Sequence, residues 1–241
     1  STYRLINIIK QVKPDIVHLQ CPNGYMVNIF KLLDFLKKNN IATVLTLHAE
    51  FMYTAGCSHS LDCNKWKIGC GNCPQKGTGL PASKIFDRSA EQWILMKKAF
   101  ENFNRIIIIS VSPWLYQRSN QSPFFRNIVQ RVVLNGLDTN IFKPTDSYEI
   151  RKSLDIKSER IILHVTPNFK DPLKGGEYIL KLADRLIEEN IKIIILGFNG
   201  DKNQLPSNII PISHVKNQVQ LSQYYSMSDV VVLTSKRETF S

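Results

Sequence analysis

The sequence predicts an α/β chain organised as two units, each a doubly wound parallel sheet. Three observations predict it. The apolar runs are short, unbroken and rich in Ile and Val, and unbroken runs read as strands covered on both faces, as in a parallel sheet. Amphipathic helical patterns stand between the runs. The alternation pauses over residues 135–147 and then restarts, which separates one unit from a second.

In chain order, strands are expected at residues 15–20, 42–48, 105–111 and 130–134, then at 160–165, 191–196 and 230–233, with a short further strand near 209–212. Helices are expected at 25–38, where Ile29, Leu32, Leu33 and Leu36 share a face, and at 90–103 and 177–188. Between the units, Asn135-Gly136-Leu137-Asp138 reads as a turn and Lys143-Pro144-Thr145-Asp146-Ser147 as a linker. The expected domains are 1–143 and 144–241. Both strand counts are low for a doubly wound domain, so both domains are expected to be partial.

The chain has 241 residues and is 43% hydrophobic, enough for one large core or two modest ones and too apolar for disorder. No apolar run reaches transmembrane length, and the first residues lack a signal-peptide core, so a cytoplasmic location is expected. The net charge of +11 is spread along the chain. It reads either as a solvated surface or as attraction to phosphate-bearing substrates or to an anionic membrane face, which would make the protein peripheral at the inner membrane. No recognition-helix pattern, RNA-binding aromatic signature or basic arm points to nucleic acid.

Lys174-Gly175-Gly176 follows a strand and opens a helix. Glycines there let the backbone approach a ligand, the helix N-terminus offers free N–H groups, and Lys174 adds a charge, a combination suited to a diphosphate. An ordinary glycine-containing helix start is the alternative. Leu196-Gly197-Phe198-Asn199-Gly200 follows the next strand, where open α/β sheets bind ligands, or is a simple turn. His48 ends a strand in Thr46-Leu47-His48-Ala49-Glu50 and could donate to phosphate or a sugar hydroxyl, or be structural. His164 and His214 read as structural, and His18 is a weaker crevice candidate. At the chain end, Val230 to Leu233 reads as a buried strand running into a loop that carries one carboxylate, Glu238.

Four of the five cysteines, Cys57, Cys63, Cys70 and Cys73, lie close together in one loop. The pair in Cys70-Gly71-Asn72-Cys73 has the spacing of half a zinc knuckle, while Cys57 and Cys63 are spaced more loosely than the other half usually is. In a reducing compartment clustered thiols favour a structural zinc over disulfides, though two labile disulfides and thiols without a ligand stay open. The loop has little apolar content to order it otherwise. Cys21 reads as a lone buried thiol.

Taken in order, several runs carry a resemblance. They are Lys13-Pro14-Asp15-Ile16-Val17-His18-Leu19-Gln20, Thr46-Leu47-His48, the cysteine loop through Pro74-Gln75, Asn135-Gly136-Leu137-Asp138 with Phe142-Lys143-Pro144, Lys174-Gly175, and Tyr224 through Ser235 ending at Glu238. The chain resembles the retaining GT-B glycosyltransferases of family 4, and its N-terminal half a bacterial exopolysaccharide or O-antigen branch with a cysteine-rich insert. The resemblance implies two Rossmann-like domains, an acceptor-side domain first and a donor nucleotide-sugar domain second. It implies a UDP- or GDP-sugar donor, a saccharide or lipid-linked saccharide acceptor, and no catalytic metal. Carried over, Lys174, Gly175, Gly197 and Asn168 would line the donor site, Glu238 would contact donor sugar hydroxyls, and His48 would lie near the reacting sugar. Asn168 stands where the family usually places an arginine. The family's glycine-rich acceptor loop, its second glutamate after Glu238 and its returning C-terminal helix have no counterpart here. The chain is therefore expected to be truncated at both ends and to turn over little alone. A non-catalytic remnant or partner subunit of the same fold, and a zinc-stabilised interaction module around residues 57–73, are the competing readings.

Overall fold

The computed structural model describes residues 1–22, 26–78 and 85–240. They form two compact units, one of residues 1–135 with the chain end from Thr239, the other of residues 136–238. Among the described residues no helix is long and apolar enough to cross a membrane.

The first unit runs α1 (Thr2–Val12), β1 (Ile16–Gln20), α2 (Ile29–Lys38), β2 (Ala42–Leu47), α3 (Ser89–Phe100), β3 (Ile106–Ser110), α4 (Pro113–Ser119) and β4 (Val129–Val132). The strands pair in parallel in the order β1-β2-β3-β4, with Leu19 beside Leu45 and Leu45 beside Ile108. The expected start of α2 at Tyr25 lies outside the described residues. Its observed start is set by Asn28, whose side chain accepts from the Lys31 N–H and so satisfies a donor the helix cannot. α1 and α4 were not among the expected helices. α1 buries Ile9, packs Leu5 and Ile6 on the core, and ends at Lys13 in a left-handed conformation just before Pro14. α4 starts on the Ser112 cap with Pro113 at its first position.

One expectation fails for this sheet. Leu19, Leu45, Leu47, Ile106 and Ile108 form a buried face, but the opposite face leaves Ile16, Ile107 and Val129 exposed. The unbroken apolar runs promised cover on both faces, and the described chain covers the second only in part: Thr46 is buried there while Ile107 and Val129 are exposed.

The second unit runs α5 (Tyr148–Ser153), β5 (Arg160–Val165), α6 (Gly176–Arg185), β6 (Ile191–Leu196), β7 (Ile209–Ile212), α7 (Gln218–Met227) and β8 (Val230–Val231). All pairs are parallel, in the order β7-β6-β5-β8. Here both faces are covered. Ile161, Leu163, Ile194 and Leu196 pack with Tyr224 and Met227 of α7, whereas Ile193 and Ile195 pack with Ile179 and Ala183 of α6. Pro211 sits in β7, an edge strand, where its missing N–H costs no ladder bond. The order reverses direction at β5: β6 and β7 extend to one side and β8 lies on the other. Such a switch opens a crevice at the carboxyl ends of the two strands.

Candidate functional site

The crevice beside β5 and β8 gathers three of the residues singled out in the sequence, Lys174, Gly175 and Glu238. Gly175 caps α6 with φ +67, a left-handed conformation suited to glycine. A Cβ there would stand 2.2 Å from the Thr234 carbonyl oxygen, so glycine also admits the chain leaving β8. That chain is stitched to the loop: the Thr234 hydroxyl donates to the Lys174 carbonyl (2.9 Å) and the Lys236 N–H to the Leu173 carbonyl (2.8 Å). The two segments bring Lys174 Nζ to 2.7 Å from Glu238 Oε1, with the side chains 22% and 32% exposed. An accessible ammonium, an accessible carboxylate and a glycine-capped helix start therefore share one strand-end crevice.

Asn168 and Gly197 border the same strand ends. Asn168 Oδ1 accepts from Asn199 Nδ2 (2.7 Å) and from the Lys170 N–H (3.2 Å). The side chain at the position where the resemblance expects an arginine is thus tied to its neighbour and brings no charge. Asn199 has no signal of its own in the sequence beyond its glycine loop, and only the fold places it beside Asn168. Gly197 is buried, with φ +88, and its N–H continues the ladder to the Ile212 carbonyl (2.9 Å).

His164, in the middle of this sheet, is structural. It is 1% exposed and its Nδ1 lies 3.0 Å from the Val232 carbonyl. Burial holds its pKa below the ordinary value, against the opposing effect of that carbonyl. The folded state therefore resists a proton that the unfolded chain accepts near pH ~6.5. Stability from this group is present above that pH and is lost as pH falls below it, toward the lowered folded value. Replacing His164 by Asn is expected to flatten the acid limb of the second unit's stability curve, and an unchanged slope in acid titrations would contradict this.

His48 lies in the first unit, just beyond β2. Its Nε2 donates to Gln20 Oε1 (2.8 Å), Gln20 Nε2 donates to His18 Nε2 (3.1 Å), and His18 Nε2 lies 2.8 Å from the Thr46 hydroxyl. This chain of polar groups runs over the less covered face of the first sheet, from half-buried His48 to buried Thr46. It puts the proton of neutral His48 on Nε2 and leaves Nδ1 to accept. Gln20 had no assigned role in the sequence; spacing alone does not show that it holds His48.

Two residues beyond His48, Glu50 is fully buried at 0% exposure and lies 3.3 Å from Arg118 Nε. Ser60 donates to Glu50 through its N–H (2.9 Å) and its hydroxyl, and Arg118 also donates to the Ser60 hydroxyl (2.6 Å). The guanidinium lies 5.4 Å from the ring centroid of Trp66 and 5.2 Å from that of Trp114. Arg118 is distant in sequence and carries no local signal of this pairing.

The cysteine loop is not short of apolar anchors, contrary to expectation. Trp66 is 1% exposed, packs edge-on against Tyr53 and donates from Nε1 to the Cys63 carbonyl (2.9 Å). Cys57, Cys63, Cys70 and Cys73 are half-buried thiols that line one small cavity. Burial, then the three neighbouring thiols, pushes Cys57 up to about 12, and burial pushes Cys70 to about 11. Among the described residues, no three His, Cys, Asp or Glu side chains are already arranged as a metal site. Cys21, expected to be buried, is exposed.

A larger groove of about 690 Å³ in the second unit is lined by Leu137, Phe142, Pro144, Leu221 and Tyr225 among others. None of the strand-end residues above lines it.

No protein-family model matches the chain. Glycogen synthase of Clostridium perfringens (strain 13 / Type A) is 23% identical, over 79% of this chain and 43% of the relative. Sucrose-phosphate synthase from Thermosynechococcus elongatus superposes with a TM-score of 0.61 at 16% identity, covering 100% of this chain and 56% of that one. Anabaena HepE, solved in complex with UDP, gives a TM-score of 0.60 at 15% identity, covering 98% of this chain and 57% of that one. The fold is thus that of GT-B glycosyltransferases, and the chain spans about half the length of these proteins.

Proposed function

We propose that the chain is part of a GT-B glycosyltransferase that moves a sugar, with retention of configuration, from a UDP- or GDP-sugar to a growing surface polysaccharide or lipid-linked acceptor. The observation that carries the reading is the Lys174–Glu238 pair beside the glycine-capped start of α6, at the β5/β8 switch. In this reading residues 144–241 bind the donor and residues 1–143 the acceptor side. The fold shared with sucrose-phosphate synthase and with UDP-bound HepE supports it.

Lys174 leaves Glu238 for the donor diphosphate, and with the free N–H groups of α6 it stabilises the charge that grows as the diphosphate departs. Glu238, released, accepts hydrogen bonds from donor sugar hydroxyls. Gly175 and Gly197 keep the strand ends bare for the ligand, and Asn168 with Asn199 borders it. His48, steered by Gln20, offers a neutral imidazole to the reacting sugar. The charge is met by the lysine and the helix, with no metal at the reacting centre. The charge of +11 suits a cytoplasmic protein held peripherally at an anionic membrane face. One observation favours the second reading, a non-catalytic member of the fold: Asn168 brings no cation to the diphosphate.

The test is donor binding. UDP-, GDP- and ADP-sugars are screened for thermal stabilisation, since a ligand at ~100 times its dissociation constant adds ~2.7 kcal/mol. Lys174→Ala is expected to weaken the donor that binds by roughly 1.5–3 kcal/mol, the worth of one charge-assisted contact, and Lys170→Ala far less. Equal titrations for the two variants would remove Lys174 from the diphosphate site. Binding without transfer to any saccharide acceptor would favour the non-catalytic reading.

A further inference from the structure

We infer that Cys57, Cys63, Cys70 and Cys73 form a tetrahedral four-thiolate zinc site in the first unit, independent of the transferase reading. Cys57 and Cys63 come from different parts of the loop than the Cys70–Cys73 turn, yet all four line one cavity of about 20 Å³. That is room for a single water-sized sphere, which needs ~10–15 Å³. Ala55, Trp66 and Pro74 complete much of the wall, so the sulfurs are its natural ligands. Lys65 also borders the cavity, but its ammonium is spent on the Gly71 and Asn72 carbonyls at 2.9 and 2.8 Å. Those two residues form the turn between Cys70 and Cys73, with Gly71 at φ +140 and Asn72 at φ +46, so the lysine braces the knuckle that presents the paired thiols.

The four thiols line this cavity without a disulfide. Four thiolates held around so small a cavity would repel one another. A divalent cation among them turns that repulsion into attraction, with the thiol protons released on binding. Half-buried cysteines can close on the ion by rotation about χ1, which converts the open arrangement into a tetrahedron with Zn–S near ~2.3 Å. An all-sulfur set is soft, and zinc is the tetrahedral ion that needs no redox partner.

The site would clamp the loop over the buried ion pair. Gln75, two residues after Cys73, donates to the Ser60 carbonyl (2.6 Å), and Ser60 holds both Glu50 and Arg118. Metal binding therefore tightens the support of the strand end that bears His48. Trp66 anchors the loop separately, so the metal-free protein is expected to stay folded.

The experiment uses the full chain purified under reducing conditions without added metal. Elemental analysis is expected to find about one zinc per chain. Exchange for cobalt(II) is expected to give the intense visible bands and sulfur-to-metal charge transfer of a tetrahedral thiolate site, and Cys70→Ser/Cys73→Ser is expected to lose both metal and spectrum. The cobalt spectrum of the unmutated chain decides the matter even where that variant does not fold. Metal-free protein in which a disulfide reagent titrates all five thiols, exposed Cys21 included, intact-mass evidence of disulfides among the four, or zinc retained by the double variant would each overturn the site.

Discussion

Replacing Glu50 by alanine is expected to destabilise the first unit by about 3–5 kcal/mol, the penalty for stripping one partner from a buried ion pair. Glu50 is fully buried, and Arg118 is 18% exposed with Trp66 and Trp114 near its guanidinium, so little water can replace the lost carboxylate. The Ser60 hydroxyl and N–H lose their acceptor in the same step. Glu50→Leu combined with Arg118→Met is expected to recover the part of the loss that comes from the stranded charge, while the Ser60 N–H and hydroxyl still lack their acceptor. All three tryptophans, Trp66, Trp93 and Trp114, lie in this unit, so urea unfolding followed by tryptophan fluorescence reads it selectively. A loss below about 1 kcal/mol, the range of an exposed pair, would show that water reaches the site. The change should also reach His48 through Ala49, the one residue that separates it from Glu50, and the His48 imidazole resonances would report it.

The second unit was the more legible half of the sequence, and the reason is its cover. β5 and β6 appear at residues 160–165 and 191–196, where the runs of Ile and Leu predicted them, because α6 and α7 bury alternate residues from opposite faces. The first sheet carries similar runs, yet Ile107 is 41% exposed while Ile108 is fully buried. An apolar run reports a strand's character, not whether the described chain supplies its second cover. α1 was missed because Leu5, Ile6 and Ile9 make a modest stripe that matters only once packed on the core. The candidate site divides along the same line. Lys174-Gly175 and Glu238 were legible because each follows a strand, and strand ends are where a parallel sheet binds ligands. The partners that hold site residues, Gln20 for His48 and Asn199 for Asn168, are matters of register between strands, and register is not written in either strand alone.

Gly197→Ala is expected to cost the second unit roughly 2–5 kcal/mol, from overpacking and a left-handed backbone together. A Cβ at this position would stand 1.7 Å from the Thr166 carbonyl oxygen, and φ is +88. The obstacle is backbone, so no side-chain rotation relieves it. Moving Thr166 strains its N–H bond to the Leu196 carbonyl (3.0 Å), and moving residue 197 strains its bond to Ile212 (2.9 Å), so either shift works against the ladder through β5, β6 and β7. Against a total stability of ~5–15 kcal/mol, such a loss leaves the unit marginal. Gly136→Ala is the control: nothing lies within 4 Å of its Cβ, and the change should stay within about 0.5 kcal/mol. Native-state hydrogen exchange of the β5 and β6 amides would measure both. The comparison also separates two roles for Gly197. If the glycine serves only to let a donor approach, Gly197→Ala leaves exchange unchanged and weakens nucleotide-sugar binding alone. If it is needed where two strand ends meet, exchange quickens without ligand, and donor affinity falls as well, because the Thr166 hydroxyl accepts the Asn168 N–H (3.3 Å) and carries any shift into the site. The close approach favours the second outcome, and unaltered protection of β5 would refute it.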